Sequence, residues 1–151
     1  MRILIATDGS EYSNAAIEEC CRMIIRPGDS EVLIVSAYED VLPIAAEPFA
    51  LSSDYYQQLT DSLTSLARGY LDTAKATITK RFDGTEVSVS TEILRGPADQ
   101  LIIERAKDWR ADLIVVGSHG RGFWGRLLGS VSTGVVHHAP CSVLVVRRAP
   151  K

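Results

Sequence analysis

The chain has 151 residues, 46% hydrophobic and 23% charged, with a formal net charge of −3. That balance fits one soluble globular domain spanning residues 1–151 and excludes a disordered or fibrous chain. No apolar run approaches the roughly 18 residues of a membrane-spanning helix, and an acidic balance without a basic stripe argues against a nucleic-acid surface.

The predicted elements begin at once. Arg2–Thr7 is an apolar strand rather than a signal peptide, because it runs into Asp8 and has no small-residue cleavage site. A cytoplasmic protein with no membrane partner is the expectation. Ser10–Ile25 reads as a helix with Ala16, Ile17, Cys20, Cys21 and Ile24 on one face, stopped by Arg26-Pro27-Gly28-Asp29. Cys20, Cys21 and Cys141 are odd in number and lack CxxC spacing, so neither a disulfide framework nor a zinc site is expected. Glu31–Ala37 is a second strand. Tyr38–Ser52, with two prolines and little periodicity, reads as a surface loop that borders a ligand. Ser53–Phe82 is the longest helix, with Tyr56, Leu59, Leu63, Leu66, Tyr70, Leu71, Ala74 and Ile78 facing inward, and Asp83-Gly84 ends it. Glu86–Leu94 alternates like a half-exposed edge strand. Ala98–Trp109, after Gly96-Pro97, is a helix that buries Leu101, Ile102 and Ala106. Leu113–Gly117 is a strand, Ser130–His138 a helix closing before Ala139-Pro140, and Ser142–Arg147 the last strand.

The first, second, fourth and fifth strand segments are nearly continuous Ile, Leu and Val, the mark of strands buried on both faces. The order β-α-β-α-β-α-β-α-β predicts a doubly wound α/β domain. Its single five-stranded parallel sheet is expected in the order 3-2-1-4-5, with helices on both faces.

Gly117-Ser118-His119-Gly120 follows the fourth strand, and Gly129-Ser130 opens the helix after it. Glycines let the backbone approach oxygen atoms closely, and a helix start offers N–H groups and a positive dipole end. Arg121 and Arg126 lie between the two glycine clusters, with no acidic residue from 117 to 130. The pattern suits a phosphate cradle; it also suits a plain flexible turn. In open α/β sheets, ligands bind beyond the carboxyl ends of the strands where the winding reverses. There the Thr7-Asp8-Gly9-Ser10 loop would face the glycine loop, with Asp8 accepting hydrogen bonds from a ribose or adenine or serving only as a helix cap. The chain has no GxxxxGK[ST], no GxGxxG after its first strand, no HExxH and no GxSxG.

Taken together, these residues resemble the universal stress protein family over the whole chain, and with it the Rossmann-like adenine-nucleotide fold. The family signature is Gly, two residues, Gly, nine residues, Gly, then Ser or Thr. Here Val116-Gly117-Ser118-His119-Gly120 and Gly129-Ser130-Val131-Ser132 fit it, with eight residues, Arg121–Leu128, in place of nine. Arg2–Ser10, Gly96-Pro97-Ala98, Ala111–Val116 and His138–Val146 are also similar to family segments. The resemblance implies binding of ATP, or of AMP, with Mg2+ held through the phosphates. Carried over, Ala6, Thr7 and Asp8 line base and ribose, and Ala37 lies near the adenine. Val116, Gly117, Gly120, Gly129, Ser130, Val131 and Ser132 hold ribose and phosphates. His119 lies beside the phosphates. Apart from the resemblance, the charge of Arg121 and Arg126 in this loop marks them as phosphate contacts or as solvated surface. From its place at the glycine-rich loop tip, Trp124 packs over the nucleotide, against a partner chain or simply within its own chain. His137 and His138, at a helix C-terminus where the dipole favours cations, read as structural. A homodimer through Ser142–Arg147 and an unknown protein partner are also implied. The expected function is an ATP-binding regulatory module of the stress response. The alternatives are a nucleotide-independent dimeric or chaperone-like protein and a very slow ATPase, slow because no paired carboxylates stand near the loop to organise Mg2+ and water.

Overall fold

Runs of Ile, Leu and Val are stable as strands only where both faces are covered, and the chain supplies helices for both. The computed structural model describes residues 1–39, 53–120 and 128–147. Within them the order is β1 (Arg2–Ala6), α1 (Glu11–Met23), β2 (Glu31–Tyr38), α2 (Ser53–Arg81), β3 (Ser88–Arg95), α3 (Ala98–Trp109), β4 (Leu113–Gly117), α4 (Ser130–His138) and β5 (Ser142–Val146). All pairings are parallel, and the sheet order is β3-β2-β1-β4-β5, so the winding reverses between β1 and β4.

Strand side chains alternate between faces, and the core divides accordingly. Ile3, Ile5, Val32, Ile34 and Val115 pack under α1 and α2, against Ala16, Ile17, Cys20, Leu71, Ala74 and Ile78. Leu4, Leu33, Val35, Ile114 and Val116 point the other way, against Ile102 and Ala106 of α3 and Val135 of α4. β3 stands at an edge, as its alternation requires.

Some expectations change. Leu66 is 47% exposed and Ala67 is buried in its place. Leu63, Ala67, Leu71, Ala74 and Ile78 keep the spacing of three and four that one helix face demands, and Leu66 is one residue, about 100°, off it. β5 is only half-buried at Val143, Leu144 and Val145, because β4 is its sole partner in the sheet. Ser10 is the N-cap of α1 rather than its first residue; its side chain accepts from the Ser13 amide at 3.2 Å. Residues 40–52, most of the expected ligand-bordering loop, lie outside the described residues. No described helix is long and apolar enough to cross a membrane.

Candidate functional site

The chain leaves β1 at Ala6 and turns within four residues into α1. The Thr7 amide continues the ladder by donating to the Val35 carbonyl at 2.9 Å. The Gly9 amide donates to Thr7 Oγ1 at 3.2 Å, and the Ser10 amide to Asp8 Oδ1 at 3.0 Å. These local bonds fold the turn onto itself, as Thr and Asp side chains do when the ladder ends. Gly9 has φ +71°, the left-handed region that glycine enters without penalty.

Across the switch point, the Ser118 amide donates to the Val146 carbonyl at 2.8 Å, and the Gly129 amide returns to the Ser118 carbonyl at 2.8 Å. That second bond ties the end of β4 to the start of α4. Ser132 reinforces it, its hydroxyl within 3.0 Å of both the Ser118 and Gly129 carbonyls. Ser118 and His119 are both buried, with Ser118 Oγ 3.0 Å from His119 Nδ1. The His119 ring tilts against that of Tyr12 at a centroid distance of 5.1 Å.

Between the two turns lies a cavity of about 250 Å3, just below the roughly 300–1,000 Å3 usual for small-ligand clefts. Ala6, Thr7 and Asp8 line it from the end of β1 and the turn after it, Ala37 from β2, and Val116, Gly117, His119 and Gly120 from the end of β4 and the loop after it. Gly129, Ser130, Val131 and Ser132 line it from the start of α4. Every site residue expected from the sequence is thus brought to one place except Arg121, which lies with Arg126 and Trp124 outside the described residues. Ser13, Val35, Ala98 and Ile102 were missed. Val35 had a signal: it shares a strand face with Ala37 two residues on, and it pairs in register with Ala6. Ser13, Ala98 and Ile102 arrive by helix docking, which no local pattern announces.

The wall is graded. Val35, Ala37, Ala98 and Ile102 make one part apolar, and the start of α4 makes another part polar. Gly129 caps α4 without a side-chain hydrogen bond, and its first turn carries no acid, whereas α1 has both the Ser10 cap and Glu11. The N-terminus of α4 therefore retains donor capacity and a positive dipole end toward the cavity. Asp8 is the one carboxylate among the described lining residues.

The motif glycines differ in what they make room for. A Cβ on Gly117 would meet the backbone of Tyr12 and Ser13 at 2.7 and 2.8 Å, so its bareness admits α1 to β4. Gly117 also lines the cavity, so its bareness serves the packing of α1 as well as the cavity wall. A Cβ on Gly120 would meet Asp8 Oδ2 at 2.9 Å; on Gly129, nothing comes closer than 3.4 Å. Among the described residues no three His, Cys, Asp or Glu side chains could share a metal ion. The cysteines are poor nucleophiles. Burial pushes the Cys20 thiol up to about 12, with Cys21 adding to it, and burial raises Cys21 and Cys141 as well.

A sequence model described as the universal stress protein family matches residues 1–147. The chain belongs to the universal stress protein family. Universal stress protein A homolog 2 of Coxiella burnetii is 33% identical over 148 residues, 97% of this chain and 94% of that protein. Among solved structures, the hypothetical protein MJ0577 matches with a TM-score of 0.78 and 25% identity, over 99% of this chain and 97% of that one. A universal stress protein family protein from Arabidopsis thaliana, crystallised with AMP bound, has a TM-score of 0.72 and 20% identity, over 99% of this chain and 92% of that one. At that identity the likeness is one of fold.

Proposed function

We propose that this universal stress protein binds an adenine nucleotide in the cavity between β1 and β4 and acts as a regulatory module of the cytoplasmic stress response. The observation that carries the reading is the graded cavity: apolar walls for a base, and beside them a helix start that no side chain caps among the described residues. The base enters against Val35, Ala37, Ala98 and Ile102. Asp8 accepts ribose hydroxyls, and the start of α4 at Gly129 and Ser130 receives the phosphates. ATP brings its own Mg2+ through the β- and γ-phosphates, since the described residues build no metal site. Hydrolysis is slow at most, since Asp8 is the one carboxylate among the described lining residues and a second would be needed to orient a water. The half-buried β5 supports a homodimer formed edge to edge.

Titration calorimetry with AMP, Mg-ATP and adenosine tests the site. Ser130 is exposed and opens α4, so Ser130→Glu places a carboxylate where the helix dipole favours it by about 0.3–1 kcal/mol. The variant stays folded while the carboxylate repels phosphate. Affinity for AMP and ATP should fall at least about tenfold with adenosine binding unchanged. Failure of the wild-type chain to bind any of the three ligands would overturn the reading.

A further inference from the structure

Gly9 is covered from outside the cavity by a residue that the binding reading does not use. A methyl group on its Cα would lie 2.5 Å from Tyr70 Cε1 and 2.9 Å from Tyr70 Cγ, and closer still to Cδ1, so the ring of Tyr70 rests directly on the turn. Tyr70 belongs to α2, which is also fastened to the end of β2 by a 2.9 Å hydrogen bond between Tyr38 Oη and Thr64 Oγ1. One helix therefore backs two strand ends at the rim of the cavity.

The turn under Tyr70 carries Asp8. Its two internal bonds, Gly9 amide to Thr7 Oγ1 and Ser10 amide to Asp8 Oδ1, are only partly buried, and such bonds open easily unless something packs over them. On the cavity side, Asp8 Oδ2 faces Gly120. The carboxylate is thus set between a bare glycine on one loop and a ring-covered glycine on its own.

We infer that Tyr70 is a positioning residue for Asp8: its ring clamps Gly9 in the left-handed conformation and so aims the carboxylate into the nucleotide cavity. The inference rests on the proposed binding site and adds a residue of α2 that touches no ligand. The contact with Gly9 is made by ring carbons, so Tyr70→Phe retains it and Tyr70→Leu does not.

A double-mutant cycle decides it. In calorimetric titrations with AMP, Tyr70→Leu should lower affinity about tenfold in the wild-type background and leave it unchanged when Asp8 is already Ala. An equal loss in both backgrounds would make Tyr70 a general packing residue and overturn the inference, as would no loss in either. Amide hydrogen exchange of the unliganded protein gives a reading that needs no nucleotide. Gly9 and Ser10 should exchange faster in Tyr70→Leu than in the wild type or Tyr70→Phe, and unchanged exchange would sink the clamp. If the wild-type protein binds none of AMP, Mg-ATP and adenosine, the binding reading fails and the exchange data alone judge the clamp.

Discussion

A methyl group at position 117 has backbone atoms of Tyr12 and Ser13 within 2.8 Å, and backbone cannot rotate aside as a side-chain tip can. Gly117→Ala must therefore push α1 off β4, an overpacking cost of about 1–3 kcal/mol or more. Gly129→Ala meets only ordinary contacts at 3.4 Å and beyond, and should cost less than about 1 kcal/mol through the weaker cap. Urea unfolding of the two variants checks the contrast; equal midpoints would show that α1 tolerates displacement. Both residues are glycines of the same motif, and spacing marked them alike. Their separation depends on which backbone lies opposite, information that exists only after α1 has docked.

Helices and strands were legible because their periods are local. α3, β4 and α4 have the bounds expected from the sequence, and the remaining elements differ at one or both ends. What escaped was tertiary: Ser13 of α1 and Ala98 and Ile102 of α3 line the cavity because their helices cross its rim. Arg121 was named from charge alone and lies where the structure gives no description. α1 also carries a pH dependence. Cys20 is wholly buried, and its thiol, at 9.0 in an open chain, is pushed to about 12 in the fold by burial and by Cys21. Below pH 9 both states keep the proton and the contribution is intact. As pH rises from 9.0 toward about 12 the unfolded chain ionises and the native one does not, so stability falls by up to about 1.4 kcal/mol per pH unit. Urea unfolding across that range should show the decline in the wild type and a shallower one in Cys20→Ala. Parallel curves would mean that other groups cause it.

At the scale of the whole molecule, the two sheet edges are unlike. β3 mixes Ser, Thr and Glu along its length, and its Glu92 is held by Arg105 at 2.6 Å. β5 is Ser-Val-Leu-Val-Val without a charge. Polar and charged side chains blunt an edge, whereas an apolar one invites another strand, so sedimentation at micromolar concentration should find a dimer; a monomer would show that β5 is protected otherwise. The docking of α1 on β4 has a different consequence, for how ligand loss is diagnosed across relatives. A glycine at the position of Gly117 is retained for as long as the fold is, because the first turn of α1 occupies the space its side chain would need. A lineage that abandons its nucleotide is therefore expected to keep that glycine. The positions free to drift, and so able to record the loss, are those of Gly129 and Ser130.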